Sequence, residues 1–145
     1  MFMLWAGFKM IDNKFIVYED NKFKVSSGND VFNKIKEIKI DFSQENFIVF
    51  FLNNQNRIIK EDNLFKGGFE ACLICPNTIF KNALLNNSPK IILAHNHPSD
   101  DLNPSNDDIV IFKKLKEMGA ILNIKVLDSV IFNKKGYYSI IEEKL

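Results

Sequence analysis

The 145-residue chain carries 19 basic and 18 acidic residues, a formal net charge of +1, with 46% hydrophobic and 26% charged positions. That balance fits one ordinary globular domain, and 14 phenylalanines give it the bulk to fill a core without staples. No apolar run reaches the roughly 20 residues that span a bilayer, and near-neutral charge weighs against bulk nucleic-acid binding, which rests on clustered positive charge.

Residues 1–10 are apolar, but Lys9 follows the apolar stretch and no small-residue cleavage site closes it, so a signal peptide is not expected. Residues 15–18 and 23–25, joined through 19–22, read as a β-hairpin within an N-terminal extension of residues 1–24. Turn and cap residues at 26–30 lead into Val31, Ile35 and Ile38 at helical spacing, which predicts a short helix over 30–37. Residues 47–52 are continuously apolar, as in a strand buried on both faces. Asn53, Asn54, Gln55 and Asn56 then turn the chain, and 57–59 return as a second strand.

Cys72 and Cys75 form a C-x-x-C pair. Such a pair can be half a zinc site or a redox couple. Without a second pair, a four-cysteine zinc site cannot form within one chain. In the apolar run 69–75, which reads as a third strand, both cysteines are expected to be small core residues in a reducing, cytoplasmic setting.

Pro76 suits a first helical turn. Ile79, Phe80, Ala83 and Leu84 mark one helix face, and residues 86–89 stop it. Residues 91–94 make a short buried strand running into His95. After a loop over 98–104, residues 105–118 form the strongest helix, with a stripe of Ile109, Phe112, Leu115 and Met118 and Gly119 closing it. Residues 124–132 read as a strand broken at Asp128 and Ser129, and 136–140 as a last strand. Strands interleaved with a few helices predict an α/β or α+β domain around one sheet. The lysine clusters at Lys113, Lys114, Lys116 and at Lys134, Lys135 read as solvated surface charge.

The two histidines of the chain, His95 and His97, follow a buried strand directly. Alternate residues of an extended segment point the same way, so both imidazoles can face one point. Asp108 comes eleven residues after His97, in the first turn of the long helix. Two imidazoles and a carboxylate suit a catalytic zinc ion with a water as fourth ligand, whereas magnesium or calcium would call for more oxygens. An H-x-H pair is by itself a weak signal. Ser105 with Asp108 also spells a capping box, which alone accounts for a helix start. The two roles are compatible, because a helix N-terminus is a rigid place to fix a ligand.

The full spacing, H-x-H, seven residues, Ser, two residues, Asp, resembles the JAMM motif of the JAB/MPN metalloproteases. His95-Asn96-His97-Pro98-Ser99, then Pro104-Ser105 and Asp108, resembles the HNHPSG…PS..D signature of the RadC-type branch. Glu45 and Phe47, Leu52-Asn53, Asn56-Arg57, Gly67 or Gly68, the segment from Pro76 to Leu84, Leu127-Asp128 and Tyr138-Ser139 are similar to further motifs of that branch. The likeness covers residues 25–145. It implies a single JAB/MPN (cytidine-deaminase-like) α/β domain, a mixed curved sheet flanked by helices, with the metal at the sheet edge beside the Ser105 helix. It implies His95, His97 and Asp108 as ligands of one zinc ion, Glu45 as general base and Ser105 as a donor to the developing oxyanion. Glu61 and then Glu70 are the substitutes should Glu45 lie elsewhere.

The implied activity is hydrolysis of a peptide or isopeptide bond in a protein or peptide substrate. Two alternatives stand beside it: a non-catalytic binding module of the same fold, and a DNA-processing protein, as the family's link to DNA repair suggests. Three departures are noted. Asp100 stands where the family usually has glycine, and Ser129 where it has histidine. The first 24 residues leave no room for the family's N-terminal helix-hairpin-helix segment.

Overall fold

The computed structural model describes residues 8–11, 14–17, 22–67 and 74–144. An antiparallel hairpin, β1 (Phe8–Ile11) and β2 (Lys14–Val17), precedes the main body. There follow α1 (Gly28–Ile35), β3 (Asn46–Leu52), β4 (Ile58–Lys66), α2 (Pro76–Leu85), β5 (Lys90–His95), α3 (Asn106–Ile121), β6 (Lys125–Phe132), β7 (Tyr137–Ser139) and a short 3-10 turn, Glu142–Lys144. Five strands form an open mixed sheet in the order β4-β3-β5-β6-β7, in which only β5 and β6 run parallel.

The unbroken apolar run of β3 is a strand covered on both sides, and all seven of its residues are buried. Phe47, Val49 and Phe51 face α2 and α3 together with Ile91 and Leu93 of β5, Phe112 and Leu115. Ile48, Phe50 and Leu52 face α1 together with Ile92, Ala94, Val31, Phe32 and Ile35. Each large side chain withdrawn from water stabilises this three-layer stack by about 1.5–3 kcal/mol. The alternation along β5 continues to His95, which therefore leaves the sheet on the α2–α3 side.

Several expectations need correction. The N-terminal hairpin pairs 14–17 with 8–11, whereas 23–25 join the 56–58 turn through Ile58 N–H to the Phe23 carbonyl and Val25 N–H to the Asn56 carbonyl. Helix α1 starts two residues early because Ser27 caps it, in a reciprocal capping box with Asp30. Of the run 69–75, residues 69–73, and so Cys72, lie outside the described residues. Ile74 and Cys75 are not strand, and Cys75 is an exposed helix cap of α2 rather than a core residue.

Gly119 does not end α3. It is buried inside the helix, where a Cβ would collide with the Ile124 carbonyl oxygen. The helix closes at Asn123, with φ 57°, through Ile124 N–H to Gly119 and Asn123 N–H to Ala120. Asn87, with φ 50°, closes α2 by the same pattern. Strand β6 is not broken at Asp128. It carries one extra residue, Leu127, between the pairs Ile91–Val126 and Ile92–Asp128. Finally, His95 ends the central strand β5, not a lateral edge of the sheet.

Candidate metal centre

His95 is the last residue of β5, and His97 follows it by two positions, just before the turn at 98–99. Their Nε2 atoms stand 3.2 Å apart. Helix α3 brings Asp108 to the same point, with Oδ1 3.1 Å from His95 Nε2 and Oδ2 3.0 Å from His97 Nε2. All three ligand atoms lie within 4.8 Å of one another. The structure thus brings together the three residues that the spacing pointed to.

The surroundings aim these groups. His97 Nδ1 lies 2.7 Å from the Asp101 carbonyl, which can only accept, so Nδ1 carries a proton and Nε2 is the nitrogen aimed at the centre, free to offer its lone pair to a cation once its own proton leaves. Phe47 stacks on the His95 ring at 6.1 Å. The Ser105 amide donates to Asp108 Oδ2 at 2.8 Å, and the Asp108 amide donates to Ser105 Oγ at 3.1 Å. Burial opposes ionisation of Asp108, but hydrogen bonds from His95 and His97 outweigh it and hold the carboxyl far below the usual carboxylate range. The hydrogen bond to Asp108 raises His97, against the effect of burial. Two imidazoles meet one fixed negative charge, an arrangement that a cation completes.

The centre opens into a cleft of about 810 Å³ lined by Glu45, Ile74, Pro98, Asp101, Ser105, Asp107 and Ile111 besides the three metal-competent residues. Glu45 precedes β3, where Phe47 lies opposite His95. The Glu45 Oε2 is buried without a hydrogen-bond partner. The Ser105 hydroxyl, accepting from the Asp108 amide, keeps its own proton for the cleft. The substitute Glu61 pairs with Phe50 on β4 and does not line the cleft; Glu70 lies outside the described residues.

Residues 25–145 match the RadC-like JAB domain family. The chain belongs to that family. It is 38% identical over 141 residues to a UPF0758 protein of Staphylococcus haemolyticus, an alignment covering 97% of this chain and 62% of the relative. A UPF0758 protein of Flavobacterium johnsoniae is 41% identical over 120 residues, 83% of this chain and 52% of the relative. One from Staphylococcus aureus is 38% identical over 124 residues, 86% and 54%. The chain therefore spans between half and two-thirds of the length of these curated relatives.

Two of the three departures from the RadC-type pattern, Asp100 and Ser129, have a place in the structure. Asp100 adopts φ 61°, the left-handed conformation that favours glycine. Ser129 is buried, pairs with Leu93 across β5 and β6, and does not line the cleft. Lys113, Lys114, Lys116, Lys134 and Lys135 are exposed and lie outside the cleft lining. No helix among the described residues is long and apolar enough to cross a membrane. Sequence reasoning gave no role to the buried amides Asn46 and Asn96, although Asn96 sits between the two histidines. Their partners lie 50 residues apart in the chain, and no local pattern announces them.

Proposed function

We propose that the chain is a zinc-dependent hydrolase of peptide or isopeptide bonds. Four-coordinate zinc with bonds of about 2.0–2.2 Å holds its donor atoms roughly 3.3 Å apart. The two imidazole Nε2 atoms, 3.2 Å apart, meet that demand, and with one Asp108 oxygen as the third donor the three ligand atoms lie within 4.8 Å of one another, close enough to share one ion. Three protein donors leave a fourth position open, the hallmark of a catalytic rather than a structural zinc.

The observation that carries the proposal is Glu45: a buried carboxylate oxygen without a partner, in the same cleft as the triad. Burying such an oxygen is costly unless a donor arrives. When bound, zinc supplies Lewis acidity that brings the pKa of a water down to about 7. Glu45 would accept a proton from the attacking water and pass it to the leaving amine, which lets the amine depart near neutral pH. Ser105 donates its hydroxyl proton to the developing oxyanion. His95, His97 and Asp108 orient the reaction by holding their donor atoms fixed before substrate arrives.

The test is turnover of a mixed peptide library by the zinc-loaded chain and by Glu45→Gln. The parent cleaves, while Glu45→Gln keeps about one equivalent of metal and loses activity by at least about a hundredfold. Equal turnover by both removes Glu45 from the chemistry. Loss of metal from Glu45→Gln makes it a ligand instead of a base.

A further inference from the structure

Asn96 grips the main chain on both sides of Glu45. Its Oδ1 accepts from the Asn46 backbone N–H at 2.8 Å, and its Nδ2 donates to the Gln44 carbonyl at 3.0 Å. Those two groups belong to the peptide units that flank the Glu45 Cα. The Glu45 carbonyl is held separately, by the N–H of Gly67 at 2.9 Å, with Gly67 at φ 76°.

Asn46 completes the clasp. Its Nδ2 lies 3.0 Å from Asn96 Oδ1 and 2.9 Å from the carbonyls of both Gln44 and Asp41, and its Oδ1 accepts from Asn63 Nδ2 at 2.8 Å. Both asparagines are 1% exposed. A buried amide is tolerated when its donors and acceptors are paired, and removing a partner costs its full desolvation. Asn96 also stands between His95 and His97 in the chain. One residue thereby ties the backbone carrying both imidazoles to the backbone carrying the candidate base, across the point where the β3–β5 ladder ends. The Asn96 side-chain oxygen takes the place of the backbone carbonyl that a continuing ladder would offer to Asn46.

We propose that Asn96 is a positioning residue, whose side-chain amide sets the Glu45 carboxylate against the metal-competent triad. The inference rests on the reading of Glu45 as the base. It differs from a merely structural role in one respect: the effect of losing Asn96 passes through Glu45. Displacing a reacting group by about 1 Å can cost a hundredfold.

The experiment uses the chain loaded with cobalt(II), whose visible absorption reports acetohydroxamate binding. This small chelating ligand carries a proton that needs a carboxylate acceptor beside the metal. Asn96 makes no hydrogen bond to the three triad side chains, so Asn96→Ala keeps about one equivalent of cobalt. Glu45→Gln weakens acetohydroxamate about tenfold or more, the worth of one hydrogen bond to a charged group. Asn96→Ala weakens it similarly, and the double variant binds within about twofold of Glu45→Gln, because both changes remove one contact.

Parent affinity in Asn96→Ala, with Glu45→Gln weakened, overturns the clasp alone. Additive loss in the double variant overturns it too, since Asn96 then acts by another route. Parent affinity in Glu45→Gln overturns the reading of Glu45 and the clasp with it. If Asn96→Ala does not fold, Asn96→Asp, nearly the same shape but without the donor to Gln44, is held to the same outcomes.

Discussion

Ser105 and Asp108 hold one another across the first turn of α3, the Ser105 amide donating to Asp108 Oδ2 and the Asp108 amide to Ser105 Oγ. A helix cap and a metal-competent carboxylate are therefore one structure. The cap fixes the rotation of the carboxylate, so Oδ1 and Oδ2 reach His95 and His97 without further ordering.

The two roles separate on substitution. Ser105→Ala removes the hydroxyl but leaves the backbone amide that orients Asp108. Stability is expected to fall by about 0.5–2 kcal/mol, the usual worth of a cap. Metal content is expected to stay at parent level. Urea unfolding and metal analysis on the same sample check both, and loss of metal would place Ser105 within the ligand set.

The triad itself is tested by metal removal. The parent is expected to hold about one equivalent of zinc, and His97→Ala and Asp108→Ala little, as befits an open three-ligand site. A ligand that binds only the folded chain stabilises it by about 2.7 kcal/mol at a hundred times its dissociation constant. A chelator is therefore expected to lower the melting temperature of the parent and leave that of Asp108→Ala unchanged. Equal metal in all three proteins rejects this ligand set.

What could be read in the sequence was what depends on neighbours. The apolar run of β3 named a strand covered on both faces, and Ser105, Asp108 and the H-x-H pair named the centre, because each signal lies within a turn or one extended segment. What escaped depends on partners far along the chain. Gly119 resembles a helix terminator, but its bare Cα is there because the Ile124 carbonyl passes close by. Asp128 and Ser129 resemble a break, but Ser139 and Ile141 supply the Asp128 carboxylate with donors and let the strand continue. Cys75 lies in an apolar run yet caps a helix in solvent.

Asp100 offers a gain of stability. It is exposed, with φ 61°; its N–H donates to the His97 carbonyl at 2.9 Å, and its own carbonyl accepts from Asn133 at 2.9 Å. Left-handed backbone costs a residue with a Cβ about 1–2 kcal/mol, less for Asp, and the entropy of a flexible glycine offsets part of any gain. Asp100→Gly is expected to stabilise the chain by a few tenths to about 1 kcal/mol, with metal content unchanged. Asp100→Val is expected to destabilise it, and thermal unfolding of the pair shows whether the sign is right.

Asp128 governs a pH dependence. Its Oδ1 accepts from the amides of Ser129 at 2.7 Å and Ile141 at 3.2 Å, and its Oδ2 accepts from the Ser139 hydroxyl at 2.6 Å. Burial pushes the carboxyl above its ordinary value, and these hydrogen bonds only partly reverse the shift. A carboxyl raised in the folded state binds its proton more tightly there than in the unfolded chain. Its stabilising contribution is full below the unfolded value of 3.8 and is lost as pH rises through the folded value. Asp128→Asn loses an acceptor at every pH but never buries a charge. Its deficit against the parent is therefore expected to be larger near about pH 4 than near about pH 7. Urea unfolding of both proteins in chelator, which silences the metal centre, isolates this difference. A deficit that grows toward neutral pH would mean that the ionised carboxylate stabilises the β6–β7 corner more than its burial costs.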